Sequence, residues 1–126
     1  MNAAGSTRAG LHAYVRQSGL YNRVGNQVMI RAHVAMLRVD GSMAGSLQIG
    51  GLPLAAAGPP GPPTVVSVSA SGISHAPGYS AFHGLIAPGA TVIDIVEAGS
   101  ALRCPNVPAA SLGANAELLL SATYAA

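Results

Sequence analysis

Four acidic residues, Asp40, Asp94, Glu97 and Glu117, and four histidines, His12, His33, His75 and His83, are the groups in this sequence that could move a proton or hold a metal. A pair of carboxylates flanking one bond would suit glycoside hydrolysis, and Asp94 and Glu97 come nearest to such a pair in the chain. They lie in the alternating stretch TVIDIVE at 91–97. In a strand an odd spacing sends side chains to opposite faces, so these carboxylates cannot share a substrate. Asp94 is expected on the face opposite Ile93 and Ile95, as a surface or interface acid paired with an arginine. The histidines show no His-x-x-x-His spacing, and Cys104, the single cysteine, has neither a histidine nor a second cysteine beside it, so no metal-ligand set emerges. The serine of GSMAG at 41–45 is misplaced for a Gly-x-Ser-x-Gly nucleophile elbow, and no phosphate-cradling Gly-x-Gly-x-x-Gly or Walker loop is present. Aromatic rings are limited to four tyrosines and Phe82. Tyr14, Tyr21, Tyr79 and Tyr124 are therefore expected to pack in a core or an interface rather than to form a sugar or base platform. The expectation is a protein that is not an enzyme and has no catalytic residue, cofactor or metal.

The elements that would carry these residues are strands. A chain of 126 residues fits one domain with a core of its own. In QVMIRAHVAMLRV at 27–39, Val28, Ile30, Ala32, Val34 and Met36 fall on one face while Arg31 and His33 fall on the other, the pattern of a half-buried strand. Further strands are expected at 11–16, 45–49, 64–70, 79–86, 91–97 and 117–124, separated by glycine and proline turns. The segments QSG and RVGN read as turns around 20–24, and Asp40-Gly41 reads as a hairpin turn. Residues 100–116 read as an irregular connection with one helical turn at 109–112, and residues 1–10 as a flexible arm. The fold class expected is all-β: a single jelly-roll-like β-sandwich of seven or eight antiparallel strands over residues 11–126.

Composition narrows the functional classes. Charged residues make up 8% of the chain and apolar residues 50%, which leaves a lone copy with a weakly solvated surface. All six basic residues are arginine and the formal net charge is only +2, too little and too scattered to point to nucleic acid despite a sequence pI near 9.1. A mean hydropathy of +0.43 is high, yet no continuous apolar run is long enough for a spanning helix, and no secretory leader is visible at the N-terminus. Neither nucleic acid nor membrane is expected as a partner. The lone cysteine fits assembly in a reducing cytoplasm. An uncharged surface without an anchor implies that neighbouring subunits cover much of it.

After the 45–49 strand the chain turns through Gly-Leu-Pro and enters GPPGPP at 58–63. Collagen needs glycine at every third position over many triplets, so two triplets predict only a short polyproline II stretch that cannot donate to a sheet. This loop is expected to be a stiff inter-strand connection that loses little entropy when pinned by a partner.

Tyr21, Arg23, Gly25, Asn26 and Val28, followed by Gly45, Leu47, Ile49, Gly51, Leu52 and Pro53, resemble the Y-x-R-x-G-N-x-V and G-x-L-x-I-x-G-L-P pattern of β-rich modules in tailed-bacteriophage fibre and head-fibre proteins. TVIDIVEAGS at 91–100 and AELLLSATYAA at 116–126 resemble the later strands of such modules. The resemblance implies a trimeric virion component, made in the host bacterial cytoplasm and placed on the capsid exterior as a decoration or cement protein. Its expected partners are itself, as a homotrimer, and the major capsid protein or another virion protein. The alternative is a tail-fibre tip module that recognises a host surface glycan. Many relatives carry a shaft and a virion anchor before the module, so a module starting this near its first strand is expected to bind the particle itself. The Gly-Pro-Pro segment stands where relatives carry a more polar one. The residues expected at the interface are Tyr21 and Arg23 together with Gly58, Pro59, Pro60, Gly61, Pro62 and Pro63.

Overall fold

Strict alternation over Gln27–Arg38 gives a strand whose Val28, Ile30, Ala32, Val34 and Met36 are buried while Gln27, Met29, Arg31 and Leu37 point outward. The computed structural model describes residues 1–7, 10, 12–58, 61–75, 77–99 and 105–126. Their strands are β1 (Asn2–Gly5), β2 (Ala13–Val24), β3 (Gln27–Arg38), β4 (Leu47–Gly50), β5 (Thr64–Ile73), β6 (Ala81–Ile86), β7 (Val92–Ala98) and β8 (Leu112–Ala125). The one helical element among the described residues is a 3-10 turn at Ala109–Ser111, inside the turn expected at 109–112.

All eight strands join one antiparallel sheet in the order β1-β4-β7-β6-β5-β8-β3-β2. The all-β class and the strand number agree with the sequence, but the hydrogen-bonded ladder is one continuous, nearly closed barrel-like sheet where two facing sheets were expected. Within it, β5, β6, β7 and β8 form a Greek key, since β8 returns to lie beside β5. The two sheet edges approach each other without a ladder. The Ala3 amide donates to the Tyr14 hydroxyl at 3.2 Å, and Gln17 Nε2 donates to the Met1 carbonyl at 2.8 Å. Inside, residues from every strand but the edge strand β2 form one buried cluster, with Leu47, Ile49, Ile86, Ile93, Ile95 and Leu118 at its centre. β6 crosses this core so tightly that a Cβ at Gly84 would stand 2.7 Å from Ile93 and 2.9 Å from Val66.

Several local expectations are corrected. Residues 1–10 are not all a flexible arm, because Asn2–Gly5 pairs with β4 and buries Ala3. QSG is no turn: β2 runs unbroken through it, and a two-residue Gly25-Asn26 turn joins β2 to β3. Gly25 takes φ +60° there, the left-handed geometry that suits a twisted hairpin. Asp40-Gly41 does not make a hairpin, since β3 and β4 lie far apart in the strand order and the chain crosses between them. The Asp40 side chain instead caps a local turn by accepting from the Ser42 amide and hydroxyl.

The described part of the expected irregular connection is more ordered than the sequence indicated. Pro105–Ala109 threads between the end of β7 and the approach to β4, where Val107 donates to the Ile95 carbonyl at 2.8 Å and accepts from the Leu47 amide at 2.7 Å. β8 then begins at Leu112, five residues before the expected start. Residues 100–104, with Arg103 and Cys104, lie outside the described residues.

Candidate interaction surface

The β2–β3 hairpin is where the sequence leaves most apolar surface in water. β2 is an edge strand of 12 residues, exposed from Val15 to Val24. Its register with β3 sets Ser18, Leu20, Asn22 and Val24 on the outer face, opposite His33, Arg31, Met29 and Gln27. Gly19, Tyr21 and Arg23 share the parity of the core residues Ala32, Ile30 and Val28, yet Tyr21 is 61% exposed because β2 overhangs the core. The exposed large hydrophobic residues among those described are Val15, Leu20, Tyr21 and Val24 on β2, Met29 and Leu37 on β3, Val65 on β5 and Leu119 on β8. All of them lie on the β5-β8-β3-β2 half of the sheet.

The outer face of that half is shallowly concave. Short serines floor a groove of about 560 Å³, with Ser67 and Ser69 from β5, Ser121 from β8 and Ser18 from β2. Leu20 and Leu119 stand along it, and the His33 Nε2 to Glu117 Oε1 contact, at 2.6 Å, crosses the same face. Charge on this surface is sparse and of both signs. It consists of Arg16, Arg31 and Glu117.

The described residues among those expected at an interface sit at one end of the barrel. Arg23 is exposed and folds onto its own turn, its Nε donating to the Gly25 carbonyl at 2.8 Å. Tyr21 lines a small cleft of about 230 Å³ with Met1, Gly51 and Pro53, at the seam between the sheet edges. Gly58, Gly61, Pro62 and Pro63 are exposed, while Pro59 and Pro60 lie outside the described residues. The chain's own barrel holds the start of this loop. The Tyr124 hydroxyl donates to the Leu54 carbonyl at 2.7 Å, the Ala56 amide to Ala90 and the Ala57 amide to Ala125. Since Ala125 pairs with Gln27 beside the Gly25-Asn26 turn, the loop and the hairpin tip share that end.

The titratable groups were only partly legible. Asp94 accepts from Gln48 Nε2 at 2.8 Å across β4 and β7, in place of the expected arginine. Glu97 is 1% exposed, opposite Phe82, with its Oε1 3.4 Å from His75 Nδ1, and the His75 ring stacks on Phe82 at a centroid distance of 4.0 Å. The buried carboxylate was missed, although its parity with Ile93 and Ile95 already marked it as inward-facing. Above this stack, β5 and β6 flare apart beyond the Ser67–His83 pair and leave an open hollow of about 440 Å³. Burial raises the Tyr14 and Tyr124 phenols above the ordinary 10.0, and at Tyr14 the hydrogen bond from the Ala3 amide pulls the other way. No group of three or more His, Cys, Asp or Glu side chains that could hold a metal occurs among the described residues, and no described helix is long and apolar enough to cross a membrane.

Comparison of the chain with known protein families, with characterised proteins and with solved structures gives no significant match. The geometry of the barrel and its apolar half therefore carries the functional reading.

Proposed function

We propose that this chain is a non-enzymatic structural protein of a bacteriophage virion, a homotrimer that docks on the capsid exterior as a decoration or cement protein. The observation that carries the proposal is β2, an edge strand of 12 residues exposed along most of its length and bearing Val15, Leu20, Tyr21 and Val24. A long edge strand with exposed apolar side chains is a template for uncontrolled pairing unless it is blunted or covered. Coverage by sister subunits fits a chain with only 8% charged residues. In the trimer each curled sheet acts as a jelly-roll-like unit whose two halves face each other across one core. Repetition over a capsid lattice turns weak docking at each site into firm attachment. Gly58, Gly61, Pro62 and Pro63 and the hairpin tip with Tyr21 and Arg23 form the end that meets the shell.

Two measurements test this reading. Light scattering of the purified protein is expected to give three times the 12.4 kDa chain mass. Cryo-electron microscopy of particles carrying the protein is expected to place its density at three-fold or quasi-three-fold capsid positions. A monomer without affinity for any capsid would overturn the proposal. Density confined to a tail or fibre tip would overturn the capsid location and make recognition of a host glycan the leading function.

A further inference from the structure

The exposed apolar residues are distributed unevenly, and that asymmetry says which surface a sister subunit covers. Leu20, Val24, Met29, Leu37, Val65 and Leu119 all belong to the outward-facing parity of β2, β3, β5 and β8. Among the described residues, the other half of the sheet, β1-β4-β7-β6, has no large hydrophobic side chain that is exposed. Its outer face mixes the Gln48–Asp94 pair and His83 with Leu85 and Val92, which are half-buried rather than exposed. One half of the barrel thus exposes large apolar side chains on its outer face and the other half does not.

We infer that copies of this chain associate through the outer face of the β5-β8-β3-β2 half, with Leu20, Met29 and Leu119 buried against a neighbouring copy. The inference rests on the proposed self-association and names its surface.

Area supports a second copy as the occupant. The paired run Gln27–Ala35 of β3 is about 30 Å long at 3.4 Å per residue, and four strands at about 4.8 Å spacing are about 19 Å wide, a footprint of roughly 600 Å². Side-chain relief and the overhanging edge of β2 raise this toward the roughly 800 Å² that each partner contributes to a standard stable interface. Composition supports it as well, since an interface core is depleted in charge and this face is mostly Leu, Met, Val, Ala and Ser. The few charges present suit a homotypic contact. The face carries Arg31 and Glu117 together, so each copy offers both members of an intersubunit ion pair. The serine-floored groove of about 560 Å³ supplies a recess for a neighbour's projecting Leu20 or Leu119.

The experiment is light scattering over a concentration series on the full chain, on Leu119→Lys, and on His83→Lys as a control on the opposite half. Both positions are exposed, so neither lysine enters the core, and circular dichroism melting checks each fold. Leu119→Lys is expected to raise the dissociation constant at least tenfold while His83→Lys leaves it within twofold. A wild-type oligomer that both variants preserve, or that His83→Lys alone disrupts, overturns this surface and leaves the self-association standing. A wild-type chain that is monomeric at every concentration overturns both. Should Leu119→Lys fail to fold, peroxide oxidation of the wild-type protein decides the matter without any variant. Met29 is expected to oxidise at least tenfold more slowly in the assembled protein than in the urea-unfolded chain, and an unslowed Met29 overturns the surface.

Discussion

His33 on β3 and Glu117 on β8 meet across neighbouring strands, Nε2 to Oε1 at 2.6 Å, on the outer face of the apolar half. The two side chains keep 27% and 47% of their surface in water, so solvent screens the contact in a lone subunit. Glu117→Gln is expected to lower the stability of a single subunit by less than about 1 kcal/mol. Urea denaturation at a concentration low enough to prevent assembly measures this. A loss above about 2 kcal/mol would mean that the pair carries structural weight the exposed geometry does not explain.

Tyr124 ties the proline loop to the barrel. Its buried hydroxyl is the donor to Leu54, so Tyr124→Phe leaves that carbonyl without its partner and costs about 1 kcal/mol. Limited proteolysis should show faster cleavage in the segment between Pro53 and Pro63, with the rest of the digestion pattern unchanged. An unaltered cleavage rate would show that the amide bonds of Ala56 and Ala57 hold the loop alone.

The same phenol, with that of Tyr14, sets a limit at alkaline pH. Burial raises both above the ordinary tyrosine value of 10.0, so folding favours their neutral forms. This contribution is whole below about pH 10, the unfolded value, and is lost as the pH rises through the higher folded values. A thermal-melt series from pH 8 to pH 12 should fall at its upper end, and Tyr14→Phe with Tyr124→Phe together should flatten the fall. An equally steep fall in the double variant would assign the alkaline loss to other groups.

Gly84 marks the tightest passage in the core. Ala at this position would press its methyl against Ile93 and Val66 at under 3 Å, so Gly84→Ala should destabilise the protein by about 1–3 kcal/mol through overpacking. Thermal or urea unfolding reads this directly. A neutral result would mean that β6 and β7 can separate there without penalty.

β1 covers the edge of β4 and helps close the barrel through Ala3 and Met1. Removing residues 1–6 should cost on the order of 3 kcal/mol, from several backbone hydrogen bonds at about 1 kcal/mol each. It should also make the protein prone to aggregation, because the β4 edge becomes unpaired. A truncated chain as stable and soluble as the full one would show that β1 is dispensable to the barrel.

Much of the local structure was legible because alternation is a local property. The period of two in 27–38 named the buried residues of β3 correctly, and RVGN holds the Gly25-Asn26 turn that joins β3 to β2. The same rule applied to TVIDIVE would have placed Glu97 inside with Ile93 and Ile95. The surface that attracts attention in the fold was less legible. Leu20 and Tyr21 look like ordinary strand residues in the sequence, and QSG before them looks like a break. Their exposure follows from β2 being the edge of the sheet, a position no local pattern encodes.

The sequence by itself determined that the chain is all-β, which residues of β3 turn inward, and that too little charge is present to solvate a large free surface. Tertiary structure alone decided that the strands join one sheet, that Asn2–Gly5 belongs to it, and that the exposed apolar residues gather on one half. The physical reason is the range of the interactions. Side-chain alternation is fixed within a few residues, whereas strand order depends on pairs such as β1 with β4 and β3 with β8, whose partners lie tens of residues apart and find each other only when the whole core closes.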